Sequence, residues 1–162
     1  MKLFDQALLD ELVMKAKASP RLRANHNVHE DLHEPVQRLF IAIEPGSYVR
    51  PHLHPEAEKW EFFLVLRGKL AVLLFDEKGV VLRREVLSAT GPLRGFEIPP
   101  NTWHCVVALE SGSVFFEVKQ GPYIPMSDKG FAAWAPKEGE SGSETFTRWM
   151  AHAQVGDSPP II

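Results

Sequence analysis

The chain has 162 residues, 44% of them hydrophobic and 24% charged, proportions that exclude wholesale disorder and suit one folded unit. Eighteen Lys and Arg against 21 Asp and Glu give a formal net charge of −3, which argues against a nucleic-acid partner, because such proteins carry a basic stripe. A single cysteine, Cys105, excludes an internal disulfide, and seven histidines beside it mean that any bound metal is held by nitrogen and oxygen.

In chain order, Phe4, Leu8, Leu12 and Ala16 stand four apart, with Leu9 and Val13 beside them. This predicts an amphipathic helix over 4–18 that packs on the body of the domain. Asp5 is placed to cap it and Pro20 lies beyond its end. Asp5, Asp10 and Glu11 interrupt the apolar residues, so there is no signal-peptide core, and no run approaches the ~20 residues of a membrane helix. The expectation is a soluble, cytoplasmic protein without a membrane partner. Arg23, Asn25 and His26 then form a polar cluster. It reads as an arm with a substrate-lid role, Arg being suited to phosphate or carboxylate recognition, or as a solvated loop.

From Val36 the period shortens. VQRLFIAI, WEFFLVL, KLAVLLF, VVLRREVL, FEIP, WHCVVAL and VFFEVK are separated by turn residues such as Pro45-Gly46, Gly91-Pro92 and Ser111-Gly112-Ser113. Many short strands with frequent turns predict an all-β sandwich or barrel, and Arg67-Gly68 predicts a tight hairpin. On VFFEVK, Glu117 and Lys119 share one face, toward either a polar interior or solvent. Gln37 and Arg38 face oppositely, so one of them points inward. After Lys119 a Pro- and Gly-rich stretch reads as an extended cover, with Tyr123, Phe131 and Trp134 as anchors. Phe146, Trp149 and Met150 suggest a short terminal helix. The organisation is a helix and arm over 1–34, a barrel over 35–120 and a covering segment over 121–162, all in one domain.

The histidines carry the chemistry. In an extended chain His52 and His54 point to one face, with Cα atoms roughly 6.6 Å apart, so both imidazoles can reach one ion at about 2.0–2.1 Å. His104 opens a strand fifty residues later and can close the site from across a barrel. Glu56, Glu58 and Glu61 are acidic candidates. Cys105 and Trp103 share the opposite face of the His104 strand and read as packing residues, as does Trp60. His29, His33 and His152 are left to ordinary surface roles.

Here the sequence resembles the cupin superfamily. Gly46 precedes His52-Leu53-His54 by the spacing of the first cupin motif, and Glu61 precedes Gly68 by six residues. Pro99-Pro100-Asn101-Thr102-Trp103-His104 resembles the second motif, with Asn101 in the glycine position. The gap from His54 to Glu61 is longer than the family's, and Glu58 keeps that spacing but loses the one to Gly68. Glu61 is preferred and Glu58 is the alternative. RLRANHNVHED, VQRLFIAIEPGSYVRPHLH, EVKQGPY and KGFAAWAPKEGE are similar to the WbuC-type cupins, associated with surface-polysaccharide (O-antigen type) biosynthesis.

The resemblance implies a double-stranded β-helix (jelly-roll barrel) with a short N-terminal helix and an irregular C-terminal extension. It implies one divalent ion (Zn, Fe, Mn or Ni) on His52, His54, Glu61 and His104, and a homodimer. Arg23, Asn25, His26, Arg38, Glu117, Lys119 and Tyr123 are the candidate substrate residues. Three neutral imidazoles and one carboxylate leave a divalent site with a single positive charge, which favours oxyanionic species. The resulting expectation is an enzyme acting on a sugar or sugar-nucleotide intermediate. The alternatives are an oxygen-using dioxygenase on a small metabolite and a non-catalytic saccharide-binding cupin.

Overall fold

The apolar stripe of the first segment folds as α1 (Gln6–Ala18), whose N-terminus is capped by the Asp5 side chain accepting from the Leu8 N–H at 3.0 Å. The structure, a computed structural model, describes residues 1–162. The helix sets Leu12, Val13 and Ala16 against Phe40, Ala42 and Val114 on the outer face of a β-sheet.

Eight strands follow: β1 (Arg23–Asn27), β2 (Val36–Ile43), β3 (Glu61–Arg67), β4 (Lys69–Phe75), β5 (Val81–Ser88), β6 (Gly95–Ile98), β7 (Trp103–Ala108) and β8 (Ser113–Gln120). They form a five-stranded sheet in the order β1-β2-β8-β3-β6 and a three-stranded sheet in the order β5-β4-β7. Every pairing is antiparallel. Between the sheets lies a core that includes Ile43, Phe63, Val65, Leu70, Val72, Leu87, Val106 and Phe115. A further core, outside the smaller sheet, joins Leu73, Cys105 and Val107 to Phe146 and Met150 of α2 (Ser143–His152). The layers are therefore α1, large sheet, small sheet and α2. No helix is long and apolar enough to cross a membrane.

Two expectations are corrected. The polar cluster at 23–27 is an edge strand, not an arm; its RANHN sequence lacks apolar alternation because only one of its faces is covered. Arg67-Gly68 is not a hairpin, because β3 and β4 belong to different sheets. It is a corner. Gly68 has φ +72°, and a Cβ there would strike Ser113, so glycine lets the chain pass from one layer to the other.

The small sheet is extended by chain that forms no regular strand. His52 bridges both His104 and Phe131. Its N–H donates to the His104 carbonyl at 3.0 Å and the His104 N–H returns to the His52 carbonyl at 2.9 Å. On the other side, Leu53 N–H donates to Gly130 and Ala132 N–H to Pro51, both at 2.9 Å. The covering segment is thus stitched to the stretch that carries two of the histidines.

Candidate metal centre

Cross-strand register sets the site. On the inner face of the large sheet, Gln37 of β2 stands opposite Lys119 of β8, and Lys119 opposite Glu61 of β3. One row deeper, Leu39 stands opposite Glu117, and Glu117 opposite Phe63. The interior is therefore polar at one end and apolar at the other. His52, His54 and His104 reach the polar end from the small sheet.

The nitrogen or oxygen ligand atoms of His52, His54, Glu61 and His104 all lie within 4.8 Å of one another, close to the ~4.2 Å span of opposite ligands on one ion. Nδ1 of His52 lies 2.9 Å from the Arg50 carbonyl and Nδ1 of His104 lies 2.8 Å from the Thr102 carbonyl. A carbonyl only accepts, so both Nδ1 atoms carry hydrogen and both Nε2 atoms present a bare lone pair. His54 Nε2 is 3.1 Å and His104 Nε2 2.9 Å from Glu61 oxygens. These contacts are close but lack hydrogen-bond alignment: both Nε2 atoms and Glu61 Oε2 are buried without a partner. Unpartnered Nε2 atoms of His54 and His104 and an unpartnered Glu61 oxygen, converging with the His52 imidazole, fit a divalent cation.

Burial drives the His52 pKa down to about 3, with His104 adding to the effect, so this imidazole is neutral. Burial alone would raise Glu61, but positive charge beside it outweighs that, the Lys119 ammonium donating to Oε1 at 3.2 Å, and the carboxyl lies well below its ordinary range. Burial works against the charge of Lys119, yet Glu117 and Glu61 raise its pKa; its Nζ is 2.6 Å from Glu117 and 3.2 Å from Glu61. Burial raises Glu117, with Lys119 opposing.

The second-motif turn has the expected form. Asn101 takes φ +55°, a conformation that Asn tolerates better than most residues, and its N–H donates to the His54 carbonyl at 3.0 Å. Glu58 is bound by Gln120 at the surface and Glu56 is exposed, so Glu61 is the carboxylate brought to the histidines.

Among the other sequence candidates, Glu117, Lys119, Tyr123, Arg23 and Asn25 line one cavity of about 450 Å³ beside the cluster. Two candidates lie elsewhere. Arg38 points to the outer face and pairs with Glu34 at 2.7 Å, while Gln37 is the inward residue. His26 also faces outward, against Phe4 and Phe40 below α1. The sequence reading passed over His29, which lines the cavity, and Arg50, which sits at the mouth beside His52. No signal along the chain marks either, since both depend on pairings between distant segments.

The fold is that of the cupins. KdgF from a Halomonas species is 23% identical, over 65% of this chain and 84% of its own, with a TM-score of 0.50. Oxalate oxidase in complex with the substrate analogue glycolate is 21% identical over 66% of this chain, with a TM-score of 0.50, and this chain spans 56% of that enzyme. A conserved protein of unknown function from Streptococcus pyogenes is 10% identical over 76% of this chain and 90% of its own, at a TM-score of 0.51. No curated protein matches. The stretch from α1 to β5, residues 4–87, matches the family described as Domain of unknown function (DUF6016), and the chain belongs to that family.

Proposed function

We propose that this protein is a metal-dependent cupin enzyme that binds a small, oxygen-rich, saccharide-like anion on a divalent ion held by His52, His54, Glu61 and His104. The observation that carries the reading is the convergence of four ligand atoms within 4.8 Å, with the His52 and His104 tautomers fixed by backbone carbonyls. A divalent ion there supplies a Lewis acid with open positions for substrate oxygens.

The chain's own residues do the rest. Lys119 holds Glu61 and Glu117 and presents a cation to the cavity beside the site. Arg50 gives its hydrogen bonds to the Ala132 and Ala135 carbonyls, not to a carboxylate. It makes no ion pair, and its charge stands beside His52 at the mouth, where it favours an anion. The similarity to WbuC-type cupins supports a sugar or sugar-nucleotide intermediate of surface-polysaccharide biosynthesis as the substrate. The free edge of β1 supports a homodimer, since an unpaired edge is a template for a second copy.

The test is elemental analysis of protein stripped with chelator and reloaded. One divalent ion per chain is expected in the wild type, and His52→Ala and His104→Ala should lose it while keeping the β-sheet circular dichroism. A wild-type chain that takes up no ion sinks the reading.

A further inference from the structure

The stretch between His54 and Glu61 is longer than the cupin resemblance leads one to expect, and the four candidate ligands make no use of its extra residues. It forms a tight turn, in which the Lys59 N–H donates to the Glu56 carbonyl and the Trp60 N–H to the Glu58 carbonyl, both at 3.1 Å. The Glu58 carboxylate is taken by Gln120 at 3.0 Å. The turn brings Lys59 to the wall of an adjoining cavity of about 340 Å³, which His52, His54 and Lys119 also line.

The charge on that wall is one-sided. Its cations are Arg21, Lys59 and Lys119, and no Asp or Glu lines it; Glu61 is only 3% exposed. Two of the cations are already matched. Lys119 Nζ lies between Glu117 and Glu61, at 2.6 and 3.2 Å. Arg21 gives Nε and Nη2 to the two Glu138 oxygens, at 2.9 and 2.7 Å. Lys59 is different. Its hydrogen bond to Glu56 is made by the backbone, its ammonium has no carboxylate partner, and the residue is half-buried on the cavity wall. An ammonium carries three donors and no acceptor, and a cavity walled by one sign of charge focuses its field on an incoming anion. Arg50 stands on the neighbouring cavity, where Asp128 and Glu138 share the wall.

We infer that Lys59 is a specificity residue, which takes a second oxyanion, a carboxylate or a phosphate, of the molecule whose first oxyanion sits on the ion. The inference rests on the proposed metal site for that first group, and it narrows the ligand class to small dianions. Lys59 makes no hydrogen bond or ion pair with the four candidate ligands, so its loss should leave the ion in place.

The experiment uses zinc-loaded full-length protein, with affinity read by calorimetry and zinc content measured alongside. One arm sets malonate, succinate and glutarate against acetate, propionate and butyrate; the other sets phosphoglycolate against glycolate. The wild type should prefer the dianion by roughly three- to tenfold in at least one arm, between the worth of an exposed ion pair and that of a charge-assisted hydrogen bond. The arm with the larger preference names the second group. Raising sodium chloride from about 0.05 to about 0.5 M should shrink that preference, since the ammonium is open to solvent ions. Lys59→Gln should reduce the preference to about one while zinc content and monoanion affinity stay unchanged, and Lys59→Arg should retain most of it. Lys78→Gln, which removes the same charge at the exposed turn between β4 and β5, should change nothing. The inference is overturned if the wild type binds dianions and monoanions alike in both arms. It is equally overturned if the preference survives in Lys59→Gln, because chelation by the ion or the field of Arg50 would then be its source. Should no probe of either arm bind the loaded protein, the oxyanion reading of the metal site fails and takes the second subsite with it.

Discussion

Lys119 is the residue on which the polar end of the barrel balances. It stands between two buried carboxylates, and removing one member of a buried ion pair costs on the order of 3–5 kcal/mol. Lys119→Met should therefore lower the melting temperature of metal-free protein. It should also enlarge the gain on adding zinc, because the ion then supplies the missing positive charge. Thermal denaturation with and without zinc checks this, and an equal zinc increment in both proteins would contradict it. The candidate ligands are legible at this scale because His52-Leu53-His54 and the Pro99–His104 turn are local motifs whose spacing fixes direction. The inner position of Glu117 and Lys119 is legible only as a shared face, and Gln37 and Arg38 remain a pair of choices. Strand parity says that neighbours oppose each other; it takes the covering helix α1 to say which face is outside. His29 is invisible on the same grounds, since its ring is set by the backbone of Arg38 on another strand.

Among the elements, the decisive one is the covering segment. Besides its pairing with residues 51–53, Arg50 donates to Ala132 at 2.8 Å and to Ala135 at 3.1 Å, and lies 5.3 Å from the Phe131 ring centre. Partners outside a ligand set orient the ligands, and their loss typically costs 10- to 100-fold in metal affinity. Arg50→Ala should weaken zinc binding by about tenfold and speed amide exchange at Leu53 and Ala132; unchanged exchange at both would separate the segment from the site. Apolar periodicity finds seven of the eight strands and both helices. It misses β1, where polar side chains face a hollow, and it misreads Arg67-Gly68, because alternation marks a strand without naming its sheet. The stitching at 130–132 rests on backbone hydrogen bonds, which no side-chain pattern announces.

Across the whole molecule, the covering segment is also anchored by charge. Arg21 contacts Glu138 at 2.7 Å and Arg23 at 2.9 Å, joining the start of the barrel to its cover. The hydrogen bond from Arg21 comes first in holding the Glu138 carboxyl below its ordinary 4.5, with partial burial opposing and Arg23 assisting. A carboxyl whose pKa is lower in the folded state contributes stability in full above its unfolded value, and that contribution is lost as pH falls through the folded value. Acidification below about pH 4.5 should accordingly loosen the cover, seen as faster amide exchange over residues 130–138. Glu138→Gln should already show that looseness at neutral pH and change little on acidification. A wild-type profile flat down to the acid transition would refute the anchor.

The stitch between residues 51–53 and 130–132 also sets an order in time. All four candidate ligands have left the ribosome once His104 has emerged, yet the segment paired with residues 51–53 arrives more than twenty residues later. A partly made chain thus has the donors without the frame. With an ion bound as proposed, a chain ended before residue 130 should hold zinc less tightly than the full chain, which a zinc titration of the two would read.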